Sequence, residues 1–270
     1  DIKRAFPQAA RGHSECPRAG SGRMTLAAAP QYISRSPDHR YTFDDVTYPG
    51  VTSILKVLDK SDALMGWAAR NTAEAAVALG DTFPQLLASV GPEGVVKALT
   101  ARSAWKRDEA AALGTDVHNM ADIIATGGTL PPMSPATLQR VDTYERWWRA
   151  SGWTLRASEA LLVNPAAGYG GTLDLLCYDR HGRTVLADIK TGKAVYSEAV
   201  LQLAAYGAST WLETSGRLYG MPAVDRYVIL HATAEELREV EVSVGQIERE
   251  AFLACLQLSR WRNTMKGKRL

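Results

Sequence analysis

The first thirty residues, DIKRAFPQAARGHSECPRAGSGRMTLAAAP, show no hydrophobic periodicity and are punctuated by Gly, Pro, Ser and Arg. They are expected to be unstructured. The chain does not begin with methionine, Met24 is a candidate natural start, and a basic DNA-binding arm is the functional alternative for this stretch. Order begins at about residue 31, where the alternation in YISRSPDHRYTFDDVTYP predicts a small hairpin with His39 solvated in its turn. Beyond Pro49 the apolar positions recur at helical spacing. Thr52 or Ser53 is expected to cap a helix holding Ile54, Leu55, Val57 and Leu58. Residues 71–99 read as two further helices, broken at Gly80–Pro84 and at Gly91–Pro92. Residues 101–125 read as a long helix by composition, and residues 136–151 as another, with Tyr144, Trp147 and Trp148 at packing spacings. Trp67 and Trp105 are expected to be packing residues.

At residue 155 the period changes from helix-like to strand-like. Strands are predicted over 155–163, 171–178 and 184–189, with Asp179–Gly182 as the turn between the last two. His181 is surface in that turn. A helix over 197–211 follows, then a strand pair at 224–232 and 237–242, a closing helix over 244–265, and a frayed basic tail, KGKRL. Helices, then three strands, a helix, two strands and a helix make an α/β fold: a mixed sheet flanked by helices, preceded by a helical region. The expected organisation is 1–30 as an extension, 31–135 as a hairpin and helical region carrying His118, and 136–270 as the core.

Composition sharpens this. With 270 residues, 46% of them hydrophobic, the chain has ample material for a buried core. The charges nearly cancel, 31 Lys and Arg against 29 Asp and Glu, which excludes a wholesale basic protein and requires any positive surface to be local. Cys16, Cys177 and Cys255 are far apart and form no CxxC pair, so no zinc or iron–sulfur site is suggested. Cys177 and Cys255 read as small buried hydrophobes, in keeping with a reducing cytoplasm. No apolar run is long enough to span a bilayer, and there is no signal-peptide core.

The chemistry concentrates between Gly168 and Tyr206. Asp174 and Asp188 lie on neighbouring predicted strands, and Lys190 follows two residues after the second acid, on the same strand face. Two hard carboxylates suit Mg²⁺ or Mn²⁺, and a lysine beside them suits charge developing on a phosphodiester. Ile189 points into the core and leaves its backbone carbonyl free for a metal. Alone, Asp-Ile-Lys also reads as an ordinary exposed strand pair. Gln202 and Tyr206 share a helix face, and alone they read as a surface glutamine and a buried tyrosine. His118 lies in a helix, after Gly114 and Thr115. A glycine inside a helix costs about 1 kcal/mol relative to alanine, so Gly114 calls for compensation such as close approach of another backbone.

In this order the motifs resemble the PD-(D/E)xK nuclease superfamily, in its RecB-like and Cas4-like exonuclease branch. GGTLD matches the acid of the second core strand at Asp174, Asp188-Ile189-Lys190 matches (D/E)xK, and Gln202 with Tyr206 matches the Q-x-x-x-Y helix. GTDVH matches the upstream histidine at His118, and Glu159 aligns with a further acidic position of some members. The opening YPGVTSIL is similar to phage-encoded members. The resemblance is carried by residues 101–206. It implies a restriction-endonuclease-like core. It also implies Mg²⁺ or Mn²⁺ held by His118, Asp174, Asp188 and the Ile189 carbonyl, with Lys190 catalytic and Gln202 and Tyr206 positioning the strand or the helix. DNA is the implied partner, with a phage recombination or single-strand-annealing protein beside it, in the cytoplasm of a bacterial or phage-infected cell. The four cysteines of Cas4 proteins are missing, as is a GxxxxGK[ST] motor motif. The expected function is a metal-dependent DNA exonuclease. The alternatives are a non-catalytic DNA-end-binding or assembly module of the same fold, and a structure- or sequence-specific endonuclease.

Overall fold

The computed structural model describes residues 32–58 and 61–266. The expectations for residues 1–30, Cys16 among them, and for the last four residues lie outside the described residues. Strands β1 (Ser34–Arg35), β2 (Arg40–Phe43) and β3 (Val46–Pro49) make an antiparallel meander. The predicted hairpin therefore has one strand more, with His39 exposed at its turn in left-handed backbone, φ 57°.

Helix α1 (Val51–Ile54) follows directly and tightens into a 3₁₀ turn, Leu55–Val57. Its N-cap is Gly50, without a side-chain cap. Thr52 and Ser53 lie inside the first turn, so neither is the cap the sequence suggested. Helix α2 (Ser61–Leu79) and a 3₁₀ turn (Gly80–Thr82) lead into α3 (Phe83–Thr126), which breaks at Gly91, φ 70° and ψ 173°. Both expected breaks are present. The second half resumes at Pro92, where a missing N–H costs nothing in a first turn, and runs well ahead of the expected start at 101. Trp105 is 56% exposed there and is not a packing residue.

Helix α4 (Pro135–Ser151) is capped by Ser134, whose hydroxyl accepts the Thr137 N–H. The strands follow: β4 (Thr154–Asn164), β5 (Tyr169–Tyr178) and β6 (Thr184–Lys190). Helix α5 (Ser197–Gly207) ends four residues short of the Trp211 expected to close it. Trp211 instead opens a hairpin of β7 (Trp211–Thr214) and β8 (Arg217–Gly220). Its Ser215–Gly216 turn has φ 52° and 68°, the doubly left-handed geometry of a two-residue turn. Strands β9 (Arg226–Ala232) and β10 (Leu237–Val242) and helix α6 (Gln246–Met265) complete the chain.

The main sheet runs β10-β9-β6-β5-β4-β7-β8, antiparallel except for the β6–β9 pair. Strand β9 has five of its seven residues buried, as a central strand covered on both faces must. On one face α5, α6 and α1 bury Leu203, Phe252 and Ile54 against Leu162, Leu176 and Leu186. On the other, α3 and α4 bury Ala121 and Tyr144 against Leu175, Cys177 and Leu230. Each large side chain removed from water here stabilises the fold by about 2 kcal/mol. Cys177 and Cys255 are both buried, as expected. This is a mixed sheet flanked by helices with a helical region ahead of it, of the restriction-endonuclease-like kind. Among the described residues, no helix is long and apolar enough to cross a membrane. The meander docks on the main sheet through a parallel bridge between Gly50 and Gly170.

Candidate active site

The site grows from a defect in the sheet. Leu175 pairs with Ala187 and Leu176 with Leu186, and the same register carries Asp174 and Asp188 one step further on. On β4, Ala157 and Ala160 face the same core cluster although they are three apart, and on β5 so do Leu173 and Leu176. Strict alternation would put them on opposite faces. The reversal falls at Glu159 and Asp174. Glu159 carries it with φ 46°, left-handed backbone that costs a non-glycine residue about 1–2 kcal/mol.

Helix α3 lies across this point. Val117 and Ala121 are buried against the sheet, which turns His118 toward Asp174, its Nδ1 3.3 Å from Oδ2. One turn later Asp122 accepts the Ser158 hydroxyl and ties the helix to β4 beside Glu159. One turn earlier, a Cβ on Gly114 would lie 3.3 Å from Thr191 Oγ1. The glycine is explained by that close approach, but the neighbour is the side chain following Lys190 and not the backbone expected. Ligand atoms of His118, Glu159 and Asp174 lie within 4.8 Å of one another, the metal-compatible cluster found among the described residues. Asp188 falls outside it.

Asp188 is 1% exposed. The Lys190 ammonium stands 2.7 Å from its Oδ2 as an ion pair, while the other buried oxygen, Oδ1, has no partner among the described residues. Lys190 also donates to Gln202 Oε1 at 3.2 Å, and Gln202 Nε2 donates to the Tyr206 hydroxyl at 3.0 Å. The Ile189 N–H donates to Asp174 Oδ2 at 2.6 Å while its side chain is buried, as the alternation requires. Gly170 and Gly171 make room for two tyrosines. A Cβ on the first would lie 2.5 Å from Tyr41 Cβ, and on the second 2.5 Å from Tyr206 Cε1.

Burial opposes charge on every member, and the neighbours decide the outcome. Asp188 is pushed up to about 6 by burial, which the Lys190 ammonium only partly offsets and Asp174 reinforces. Glu159 rises to about 7 through burial and the charge of Asp174. Burial pulls the His118 imidazole down, but the Asp174 carboxylate outweighs it and holds the ring at about 9. Asp174 sits below its ordinary range despite burial, because His118, Lys190 and the Ile189 N–H favour its charged form. These are three carboxylates gathered with two cations that hold them together; Glu159 and Asp174 line a cleft of about 390 Å³ with His118 and Lys190, and Asp188 lies buried behind Lys190.

All the residues singled out from the sequence meet here: His118, Glu159, Asp174, Ile189, Gln202 and Tyr206 with Lys190 and Asp188. The cleft also takes in Arg35 and His39, with an Arg35 nitrogen 2.9 Å from His39 Nδ1, and Tyr41, whose hydroxyl meets Thr172 Oγ1 at 3.0 Å. Sequence reasoning missed these three. Only the docking of the meander brings them in, and no local pattern announces it. Asp122 was legible in principle, four residues after His118 on the same helix face.

No protein-family model matches the chain. No curated protein matches it either. Among solved structures it is similar to SSO0001, at 10% identity and a TM-score of 0.30, over 46% of this chain and 58% of that one. The match therefore spans somewhat over half the length of SSO0001. It is also similar to the alkaline exonuclease LHK-Exo of Laribacter hongkongensis, at 17% identity and a TM-score of 0.31, over 56% of this chain and 89% of that one. The placement in a RecB-like or Cas4-like branch rests on the motifs alone.

Proposed function

We propose that this chain is a metal-dependent DNA nuclease, acting as an exonuclease. The observation that carries the reading is Asp188: a buried carboxylate beside Asp174, with no donor on Oδ1 and only the Lys190 ammonium at Oδ2. A buried charge left so poorly satisfied is costly unless a ligand completes it. The donor set of carboxylates, a peptide carbonyl and one imidazole fits a hard divalent cation such as Mg²⁺ or Mn²⁺. His118, Asp174, Asp188 and the Ile189 carbonyl would hold it, with Glu159 as a further ligand. When bound, the cation supplies a lowered water pKa and neutralises phosphate charge.

The chain's own residues supply the rest. Lys190 keeps its proton, because Asp188 and Asp174 outweigh the burial that opposes it. Its ammonium is therefore a donor to a phosphate oxygen as charge builds there. Gln202 fixes that ammonium, and Tyr206, 3% exposed and braced by Gly171, fixes Gln202. The Q-x-x-x-Y helix is on this reading a support for the lysine. Arg35 stands across the cleft, placed to meet the strand. The exonuclease mode follows from the motif resemblance.

The test is incubation with end-labelled linear and closed circular DNA, with Mg²⁺, Mn²⁺ or EDTA. Metal-dependent loss of the linear substrate, with the circle spared and activity abolished in Asp188→Ala and Lys190→Ala, is expected. No metal-dependent cleavage of any substrate overturns the reading, and cleavage of the circle makes the enzyme an endonuclease.

A further inference from the structure

A second hollow of about 360 Å³ opens beside the catalytic cleft. The end of α6 lines it with Arg262 and Asn263, followed by Lys266 just beyond the helix, and Lys56 and Arg40 close it from the other side. Among the described residues, none of its four cations, Arg40, Lys56, Arg262 and Lys266, stands within ion-pair distance of a carboxylate. The one acid in its wall, Asp38, accepts the Ser36 hydroxyl at 2.5 Å. In a chain of net charge +2, four cations against one carboxylate around one hollow are a concentration of positive charge.

The hollow adjoins the catalytic cleft. His39 borders both. So does α1: Val51 and Thr52 face the cleft, while Gly50 and Ser53 face the hollow. The two hollows therefore lie on different sides of the same turn of backbone. The wall between them is fixed. A Cβ on Gly50 would meet the His39 carbonyl at 2.6 Å, and the Gly50–Gly170 bridge ties the same point to β5.

We propose that this basic hollow binds the phosphate backbone of the DNA retained by the enzyme, next to the bond being cut. The proposal deepens the nuclease reading and rests on it for the identity of the ligand. The cations are exposed and carried on alkyl stems from three separate parts of the chain, with no carboxylate in ion-pair distance among the described residues; the Arg262 guanidinium donates to the Lys56 carbonyl at 3.5 Å. That arrangement grips a phosphate chain without reading bases. Asn263 and Ser53 add neutral donors between the charges.

The test is binding of a fluorescent 30-base-pair duplex by the full chain in EDTA, followed by anisotropy from 50 to 300 mM NaCl. Each lost phosphate contact lowers the log–log salt slope by about 0.9. Lys56→Gln with Arg262→Gln is expected to lower the slope by about 2 and to weaken binding at least tenfold at 100 mM NaCl, with an unchanged thermal midpoint. Arg40→Gln with Lys266→Gln is expected to do the same. Lys97→Gln, exposed on α3 away from both hollows, should leave the slope as it is. Slopes and affinities equal to wild type in both double variants overturn the proposal.

The nuclease reading is tested apart from this, with wild-type chain and thymidine 5′-(p-nitrophenyl phosphate), too short to reach the hollow. Mg²⁺-dependent release of nitrophenol with groove-independent duplex binding leaves the nuclease and removes the groove. Groove-dependent duplex binding by a chain that cleaves neither ester nor DNA leaves the groove and removes the nuclease.

Discussion

Gly171 and Tyr206 are matched: the Tyr206 ring occupies the space a side chain at 171 would need, with Cε1 2.5 Å from the position of a Cβ. The same ring carries the hydroxyl that receives Gln202, which in turn receives Lys190. A glycine on one strand thus sets the position of a lysine on the next, by way of a helix.

Gly171→Ala is therefore expected to reach the chemistry. Overpacking should cost about 1–3 kcal/mol in denaturant unfolding, and cleavage should fall further than in Tyr206→Phe, which removes only one hydrogen bond. Equal activity in the two variants would show that the ring position does not govern the lysine.

Metal should stabilise the chain. At a Mn²⁺ concentration a hundredfold above Kd, binding to the folded state alone adds about 2.7 kcal/mol. For a chain of this size that raises Tm by roughly 5–10 °C. The rise should shrink in His118→Ala and Glu159→Gln and vanish in Asp174→Ala, as read by differential scanning fluorimetry with EDTA as the baseline. A rise in Asp174→Ala as large as in wild type would place the cation elsewhere.

Gly114 and Thr191 offer a pair test. Gly114→Ala gains about 1 kcal/mol of helix propensity but presses on Thr191, the residue after Lys190. Cleavage should drop several-fold with little change in stability, and Thr191→Ala in the same chain should restore it. A double variant no better than the single one would remove the contact from the explanation.

Acid should unmask Asp179. Burial opposes its charge, yet the N–H groups of Arg183 and His181 and the Arg183 guanidinium hold it at about 2, below its ordinary 3.8. A depressed folded pKa gives stability that is full above pH 4–5 and is lost as pH falls toward 2. Arg226 joins the pair at 3.1 Å. Asp179→Asn should cost about 2–3 kcal/mol at pH 7. Urea midpoints of wild type and variant should converge between pH 4 and pH 2. A gap that persists at pH 2 would mean that shape, not charge, is what Asp179 supplies.

Most of the element order, and the residues that meet at the candidate site, are legible because both depend on local period and short motifs. The strands around Asp174 and Asp188 announced themselves by β-branched and apolar runs, and Gly91–Pro92 marked a real break. Errors came where the signal was short. Trp211 followed an apolar helix closely enough to be absorbed into it, although Ser215–Gly216 marked the hairpin turn. Trp105 was assigned to packing by residue type, which says nothing about what lies opposite. Arg35, His39 and Tyr41 stay invisible in sequence because a meander more than a hundred residues away brings them to the acids. The role of Glu159 was only faint, since its backbone conformation is set by the strand beside it.

The reversal of faces at Glu159 and Asp174 acts as a fault line in the sheet. Strand β5 obeys ordinary alternation on either side of it, while β4 carries a second irregularity close by, a register shift between Leu155 and Ala157. At the fault, two acidic side chains belong to neither core. Excising one residue from each strand there would remove the reversal and erase the candidate site, so the fold keeps an irregularity it would be more regular without.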